Sequence, residues 1–404
     1  MSPNLAISRI HLPHDWTLAS PPPLALYIHF PWCVRKCPYC DFNSHTVREP
    51  IPEQRYIDAL ITDLEQALPL IWGRRIHSIF MGGGTPSLFS PTAIDRLLCA
   101  VRSLTQLDPM AEITLEANPG TAESERFAGY RASGINRLSL GIQSLNNTHL
   151  TTLGRIHDAR EAHQAIELAA QNFSNINLDI MYALPGQTLA QAQHDLHEVL
   201  RYQPHHLSCY HLTLEPNTPF FQHPPALPDD DLSADMQVMI ETELAQAGYR
   251  HYETSAFSLP LHRAQHNLNY WQFGDYLGIG AGAHSKLSSH AHIQRQIRHP
   301  HPRAYMEHAE HGNAVMQEHA IEHDALGFEF MMNALRLTEG FPTSLFTERT
   351  GLPLITLQRA LNTAEQRGLI LHDAHHITPT LLGQRFLNDL LTLFLPSHDR
   401  PRPI

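Results

Sequence analysis

Short apolar runs alternate with amphipathic helical stretches from residue 24 to residue 212, and this alternation limits the possible folds more than any other feature of the chain. Each apolar run has the length of a strand, and the stretches between them repeat apolar residues every three or four positions, as helices do. Strands separated by helices form parallel sheets with right-handed crossovers. The six predicted strands are Leu24–Phe30, Ile76–Met81, Glu112–Ala117, Arg137–Ile142, Ile176–Tyr182 and His206–Leu212.

Six β–α units in series predict an α/β fold, an incomplete (β/α)6 barrel. In barrels of this kind the functional residues lie at the carboxyl ends of the strands. The predicted helices of the units are Pro52–Leu68, Pro91–Leu104, Asp158–Asn172 and Leu189–Tyr202.

The chain is predicted to divide into four parts. Residues 1–23 are rich in proline and form an N-terminal arm, and residues 24–231 form the barrel. Residues 232–323 connect the barrel to a C-terminal domain, which residues 324–404 form. A helix is predicted at Leu232–Ala247 in the connecting part. The C-terminal order of elements resembles a winged-helix module, with helices at Ala325–Leu337 and Thr356–Arg367, strands at Gly368–His372 and His375–Thr378, and a last helix near Pro379–Phe394.

Charge argues against nucleic acid as a partner, although winged helices often bind DNA. The whole chain has 40 acidic residues against 28 lysines and arginines, a net charge of −12 with histidine neutral. Residues 325–395 contain five arginines and six acidic residues, so this module lacks the basic surface of a nucleic-acid binder. Packing or docking of a partner protein is the better explanation for it.

The lack of a recognisable targeting signal and the number and spacing of the cysteines predict a cytoplasmic protein. No run approaches 18 apolar residues, so no transmembrane segment is predicted, and no secretory signal begins the chain. Five cysteines are too few and too clustered for a disulfide scaffold. Cys99 and Cys209 fall within apolar segments and are predicted to be buried.

The other three cysteines, Cys33, Cys37 and Cys40, follow the first predicted strand directly. Thiolates in a C-x₃-C-x₂-C spacing can bind three irons of a [4Fe–4S] cluster. A structural zinc site would need a fourth ligand, and His45 is the nearest candidate. The spacing resembles the signature of the radical S-adenosylmethionine superfamily, in which the iron without a cysteine is open to S-adenosylmethionine.

Glycines and polar residues end the later strands. Met81-Gly82-Gly83-Gly84-Thr85-Pro86 ends the second strand, and glycines there would let the backbone approach a ligand. Arg155 suits a carboxylate, and Asp179 and Gln143 suit ribose hydroxyls. A carboxylate at the end of a strand is as often a helix cap, so a shared ligand is predicted only because several such residues meet at one edge.

Larger motifs resemble the family of anaerobic coproporphyrinogen III dehydrogenase over about residues 24–390. These motifs are YIHFPWC from Tyr27, GGGTPS, LEANPG and SLGIQS. The resemblance implies a radical S-adenosylmethionine barrel with a C-terminal winged-helix-like domain. Tyr39 of the cysteine motif is also a predicted cofactor-binding residue. The residues that the resemblance places at cofactor-contacting positions are Tyr27, Gly83, Gly84, Thr85, Glu116, Gln143, Arg155 and Asp179.

Two departures favour the HemW branch of that family, regarded as heme chaperones. Phe42 stands where the dehydrogenase carries a further cysteine, and the N-terminal arm is short. The motif HNxxYW, with His266, Tyr270 and Trp271, is characteristic of this branch. Imidazole can bind heme iron and aromatic rings can stack on a porphyrin, so these three are the predicted heme residues.

The resemblance therefore implies binding of heme, a [4Fe–4S] cluster and S-adenosylmethionine. Heme would pass to acceptor proteins, with membrane respiratory enzymes as candidate acceptors. The alternative is a true coproporphyrinogen III dehydrogenase, which would keep the same cofactor residues. A plain iron–sulfur electron carrier does not explain the glycines and polar strand ends.

Overall fold

A computed structural model describes residues 17–120 and 123–396. Residues 1–16 of the predicted arm, and the last eight residues of the predicted C-terminal domain, lie outside this range. In chain order the strands are β1 (Leu24–Phe30), β2 (Trp32–Cys33), β3 (His45–Thr46), β4 (Arg75–Gly83), β5 (Gln106–Ala117), β6 (Arg137–Gln143), β7 (Ile176–Tyr182), β8 (His206–His211), β9 (Arg250–Glu253), β10 (Ala256–Ser258), β11 (Asp275–Ile279), β12 (His284–Ser288), β13 (Ile293–Arg298), β14 (Val315–Ala320), β15 (Phe341–Pro342), β16 (Ile370–His372) and β17 (His376–Pro379).

The helices cover one face of the main sheet and build the C-terminal domain. In chain order they are α1 (Glu53–Ala67), α2 (Pro91–Leu104), α3 (Glu123–Ser133), α4 (Asn147–Thr152), α5 (Ala159–Asn172), α6 (Leu189–Leu200), α7 (Pro219–Gln222), α8 (Asp230–Gln246), α9 (Gln265–Trp271), α10 (Pro302–Glu310), α11 (Leu326–Ala334), α12 (Thr343–Thr350), α13 (Gln358–Gln366), α14 (Leu381–Arg385) and α15 (Leu387–Thr392).

All six predicted barrel strands are confirmed as neighbours in one parallel sheet, in the order β1-β4-β5-β6-β7-β8. These strands consist mostly of apolar residues because both faces of the sheet are covered there. Every residue of β1 except Tyr27 is buried. The four predicted helices of the units are α1, α2, α5 and α6, and the structure adds α3 and α4.

Local sequence sets where the helices begin. A capping box starts α5, in which the Asp158 side chain accepts the backbone N–H of Glu161 and the Glu161 side chain accepts the backbone N–H of Asp158. Thr188 and Gln191 form the same arrangement at α6. These caps satisfy backbone donors that each helix leaves without an internal partner.

Residues of the predicted connecting region extend the same sheet at both edges. β11 pairs in parallel with β1, and β12, β13 and β14 continue outward from it in antiparallel order. At the opposite edge β10 and β9 add antiparallel strands to β8. The sheet therefore has twelve strands, of which the seven central ones are parallel. The four-part division stays a prediction.

The C-terminal domain has the winged-helix-like order of helices followed by a hairpin. The helices predicted around residues 325–337 and 356–367 are confirmed as α11 and α13, and both predicted strands appear as β16 and β17. The structure adds α12 and the short β15, which completes a three-stranded sheet in the order β15-β17-β16. Leu18, in the described part of the arm, packs into the apolar core of this domain. Over the described residues, helices of the length and apolarity that a bilayer crossing requires are absent.

The prediction that Cys99 is buried is wrong. Cys99 is exposed on α2, whose buried face consists of Ile94, Leu97, Leu98 and Val101. An apolar neighbour in sequence is not a neighbour on the helix face, because adjacent residues point about 100° apart. Cys209 on β8 is buried, as predicted.

Candidate cofactor site

A cavity of about 480 Å³ opens at the carboxyl ends of the parallel strands. This volume is within the range of roughly 300–1,000 Å³ in which proteins hold small molecules and cofactors. The structure brings most of the predicted site residues together here. Those lining the cavity are Cys33, Cys37, Tyr39, Cys40, Gly83, Gly84, Thr85, Glu116, Gln143, Arg155 and Asp179.

The three cysteines follow β1 on one short segment, with Cys33 at the end of β2 and Cys37 and Cys40 in the loop after it. All three are free thiols of intermediate exposure. Thr85 donates to Sγ of Cys33 over 3.6 Å, and Nη1 of Arg155 donates to Sγ of Cys37 over 3.8 Å. Among the described residues no three His, Cys, Asp or Glu side chains converge as the ligands of a single metal ion do. A four-iron cluster instead binds each thiolate at a different iron.

Arg155 links the cysteine loop to two strands. Its Nη2 donates to the carbonyl of Gly141 over 2.8 Å and to Oδ1 of Asn118, while Asn118 donates to Thr85 over 3.0 Å. A continuous hydrogen-bonded chain therefore runs from Cys33 through Thr85 and Asn118 to Arg155 and back to Cys37. Asn118 was not among the predicted site residues, although it lies in the LEANPG motif.

Two glycines of the site are required by close approach. A Cβ on Gly84 would lie 2.5 Å from the carbonyl oxygen of Trp32, because the turn after β4 packs against the start of the cysteine loop. A Cβ on Gly141 would lie 2.6 Å from Oδ1 of Asn118, the acceptor of Arg155. Real Cβ atoms do not approach other atoms so closely, so larger residues would displace the loop or the Arg155 contacts.

Gln143 and Tyr39 border this network. Gln143 has a positive φ of 68° where the pairing of β6 with β7 shifts register, and this conformation is strained for a residue other than glycine. Strain of this kind collects at functional sites. Burial raises the pKa of the Tyr39 phenol, which keeps the phenol protonated.

Acidic residues form the inner wall of the cavity. Glu116 accepts the backbone N–H of Gly83 over 3.2 Å, and Asp179 accepts from Asn177 over 2.8 Å and from Ser139 over 3.2 Å. Burial and the neighbouring Asp179 raise the pKa of Glu116 to about 8, and burial raises the pKa of Asp179. A pKa raised to about 8 makes Glu116 mainly a neutral acid at neutral pH.

Glu116→Gln tests this protonation state. Because the folded pKa is raised above the ordinary value of 4.5, the folded wild type binds more protons than the unfolded chain between pH 4.5 and about 8. Its free energy of unfolding falls as pH rises through this window, by up to about 1.4 kcal/mol per pH unit for one proton. Glutamine cannot ionise, so we expect the variant to gain stability relative to the wild type as pH rises and to stop gaining above about pH 8.

Denaturant unfolding of the apoprotein at several pH values measures the difference. Glu167→Gln is the matched control, because Glu167 is exposed on α5. A stability difference between Glu116→Gln and the wild type that stays constant from pH 5 to pH 8 would contradict a neutral Glu116.

Tyr27 and the HNxxYW residues are not in the cavity. The Tyr27 hydroxyl bonds Nδ1 of His29 over 3.0 Å, and its ring lies 6.3 Å from Phe80. Phe80 in turn stacks on His266 at 5.2 Å. These three rings lie between the cavity and the amino ends of the strands.

His266 lies on α9, which packs against β1, β4 and β11, and it does not line the cavity. It is 1% exposed, its Nδ1 bonds Ser78 over 3.0 Å, and burial lowers its pKa to about 3. Among the residues that the structure describes, its Nε2 has no hydrogen-bond partner. Iron ligation by His266 stays a prediction, and it requires α9 to move because Phe80 and Tyr270 cover the ring on two sides.

Tyr270 and Trp271 connect the barrel to the C-terminal domain. The Tyr270 ring meets Tyr276 edge to face at 4.4 Å, and the Arg336 guanidinium lies 4.4 Å over the Trp271 ring. Cation–π contacts of this kind stabilise packing. In this structure the motif packs between strands of the barrel and α11 of the C-terminal domain.

Comparison with known proteins agrees with this geometry. Residues 27–199 match the Radical SAM superfamily and residues 321–386 match the HemN C-terminal domain. The heme chaperone HemW of Haemophilus influenzae is 47% identical over 93% of this chain and 98% of its own length. The chain belongs to the heme chaperone HemW family. HemW of Escherichia coli is 45% identical, with the same coverage of both chains.

A solved structure confirms the fold of this HemW-family chain. The coproporphyrinogen III oxidase HemN of Escherichia coli, described as a radical SAM enzyme, superposes with a TM-score of 0.79. The match covers 94% of this chain and 91% of HemN at 24% identity. Both the partial barrel and the C-terminal domain are therefore shared.

Proposed function

We propose that this chain is a heme chaperone that binds heme, holds a [4Fe–4S] cluster liganded by S-adenosylmethionine, and passes heme to acceptor proteins. The observation that carries the proposal is the similarity to heme chaperones along almost the whole of both chains, at 45–47% identity. The cavity supports the cofactor part of the proposal, because the chemistry of its lining fits both groups.

The cysteine loop fits an iron–sulfur cluster. Cys33, Cys37 and Cys40 would ligate three irons, and the donors on Thr85 and Arg155 stabilise the negative charge of the thiolates. A bound cluster supplies one electron to S-adenosylmethionine, which is the chemistry for which its superfamily is named.

The remaining lining residues fit S-adenosylmethionine. Gly83 and Gly84 leave room for its methionine end beside the cysteine loop, and Arg155 is placed for its carboxylate. Asp179 and Gln143 are acceptors and donors for its ribose hydroxyls. Glu116 lines the same cavity, and the sulfonium of a bound S-adenosylmethionine would favour its ionised form, because a nearby positive charge lowers the pKa of a carboxyl group.

Location and acceptors follow from the same proposal. A cluster held by free thiolates persists in a reducing compartment, so we place the protein in the cytoplasm. Proteins that contain heme, membrane respiratory enzymes among them, are the proposed acceptors.

Two measurements on anaerobically reconstituted protein test the function. Titration with ferric heme is expected to reach about one heme per chain, because the proposal gives the chain a single cargo site. Incubation with coproporphyrinogen III, S-adenosylmethionine and a reductant is expected to give no protoporphyrinogen. Phe42, in place of the dehydrogenase's further cysteine, is the residue that motivates this second expectation.

Escherichia coli HemN serves as the positive control for decarboxylation, since it is described as a coproporphyrinogen III oxidase. Decarboxylation by this chain at a comparable rate would assign it to the dehydrogenases. Absence of saturable heme binding would remove the chaperone proposal.

A further inference from the structure

A buried histidine outside the cavity is joined by hydrogen bonds to a residue of the cavity wall. His206 on β8 is fully buried and does not line the cavity, whereas Asp179 on β7 does. Asn177 lies between them and shares a face of β7 with Asp179, because residues two apart on a strand point the same way. Asn177 is also the register partner of His206 in the parallel pairing of β7 with β8. The two strands therefore bring these three side chains together.

The hydrogen bonds of this group run in one direction. The amide nitrogen of Asn177 donates to Oδ1 of Asp179 over 2.8 Å, which leaves Oδ1 of Asn177 as an acceptor. Nδ1 of His206 lies 2.6 Å from that acceptor. Burial lowers the pKa of His206 well below its ordinary value, so the ring is neutral and carries one proton. We assign this proton to Nδ1, because an unprotonated Nδ1 would set its lone pair against those of the Asn177 oxygen.

The other ring nitrogen of His206 is anchored to the backbone through a tyrosine. Nε2 lies 2.8 Å from the Tyr252 hydroxyl, which therefore donates to it. The oxygen of the same hydroxyl accepts the backbone N–H of Ala264 over 3.3 Å, and Ala264 directly precedes α9. Tyr252 is itself buried, with the Arg263 guanidinium 5.4 Å over its ring. The His206 ring is thus held at both nitrogens.

Two serines complete the group. Ser208 donates to Oδ1 of Asn177 over 3.1 Å. Ser139 accepts from Asn177 over 2.8 Å and donates to Oδ2 of Asp179 over 3.2 Å. Every nitrogen and oxygen of the Asn177 and His206 side chains has a partner. Rotation of either side chain would leave a buried polar atom unpaired, so the Asp179 carboxylate is held in one orientation at the cavity wall.

From this geometry we propose that His206 is a positioning residue of the S-adenosylmethionine site. By donating to Asn177, it fixes the amide that orients the Asp179 carboxylate for the ribose hydroxyls of the ligand. The proposal rests on the binding of S-adenosylmethionine proposed above and adds to it a residue that does not touch the ligand. A merely structural histidine would stabilise the fold without changing which part of the ligand is recognised.

Equilibrium binding to cluster-loaded protein tests the proposal, with S-adenosylmethionine and its 2′-deoxy and 3′-deoxy analogues as probes. We expect the wild type to bind at least one analogue about tenfold or more weakly than S-adenosylmethionine, because the analogue lacks a hydrogen bond to the Asp179 carboxylate. His206→Leu removes the donor to Asn177. We expect this variant to bind S-adenosylmethionine about tenfold more weakly and to bind that analogue as the wild type does. The preference for the hydroxyl then falls by the same factor.

Two further variants separate positioning from packing. His206→Asn is the conservative variant, since an asparagine amide can place its nitrogen near the position of Nδ1 and donate to Asn177. We expect it to keep most of the preference for the hydroxyl. His149→Leu is the matched control, because His149 is also buried but lies on α4, outside the cavity lining. It is expected to leave the preference unchanged, and the iron content of each sample shows that the cluster is loaded.

Tyr252→Phe decides the test if His206→Leu does not fold. The substitution removes one oxygen atom and leaves Nε2 of His206 without its donor. The ring is then held at one nitrogen only, and we expect the preference for the hydroxyl to fall by about threefold or more. An unchanged preference in this variant would overturn the proposal in that case.

The outcomes separate this inference from the function on which it rests. If the wild type does not bind S-adenosylmethionine, the cofactor part of the proposed function fails. If the wild type binds all three probes equally well, the positioning proposal alone is overturned. Equal weakening of all three probes in a folded His206→Leu variant would also overturn it, because it would show a structural role. So would a His206→Asn variant that loses the preference as completely as His206→Leu does.

Discussion

Replacing Cys33, Cys37 or Cys40 singly by serine is expected to abolish the iron and sulfide content of the anaerobically reconstituted protein. Each thiolate would bind a different iron, so a missing one leaves two irons without a protein ligand. The remaining contacts cannot compensate, because Thr85 and Arg155 donate hydrogen bonds to sulfur and cannot bind iron themselves. Iron and sulfide analysis, with the absorbance of the cluster, measures the loss.

Cys209→Ser and Cys99→Ser are the matched controls and are expected to keep a full cluster. Cys209 is buried on β8, where burial raises the pKa of its thiol and opposes the thiolate that iron requires. Cys99 is exposed on α2, away from the cavity lining. A folded Cys209→Ser protein without iron would contradict the assignment of the cluster to the loop.

Arg155→Ala is expected to weaken S-adenosylmethionine binding by about ten- to a hundredfold. A hydrogen bond to a charged group contributes roughly 1.5–3 kcal/mol, and each 1.4 kcal/mol is tenfold in the dissociation constant. The substitution also leaves Asn118 and Gly141 without their donor. Equilibrium binding to cluster-loaded protein measures the effect, and iron content measured on the same sample shows whether the cluster is retained.

Arg160→Ala is the control for this prediction, since Arg160 lies near Asp158 on the surface with its side chain 74% exposed. Asp179→Ala, in the same cavity, is expected to weaken binding as well. Unchanged dissociation constants in both Arg155→Ala and Asp179→Ala would make these residues structural rather than ligand-binding.

The barrel could be predicted from the sequence because its signals are local. Apolar runs such as that of β1 are buried on both faces, and the helices between them repeat with a clear period. The cysteine spacing and the polar strand ends were informative for a related reason. Parallel strands bring their carboxyl ends to one edge. The meeting of Glu116, Arg155 and Asp179 could therefore be predicted without knowing the conformation of the loops.

Features that depend on contacts between distant segments could not be predicted in this way. β11 pairs with β1 although a long stretch of chain separates them, and neither segment has a sequence pattern that indicates its partner strand. The aromatic residues of HNxxYW suggested a surface for heme, yet His266 is enclosed by Phe80 from β4. The role of Asn118 in the site could not be predicted because a single amide beside a proline is typical of any turn.

The pairing of β1 with β11 has a consequence for how the protein is made. Asp275 pairs with Leu24, some 250 positions earlier in the chain, so one edge of β1 remains open during most of translation. At about 5–20 residues per second the ribosome needs tens of seconds to supply the missing strand. Asn43 on the cysteine loop likewise waits for Ala281 and Pro300, whose carbonyls fix it. We therefore expect iron and sulfide to be inserted only after Ala281 and Pro300 have left the ribosome.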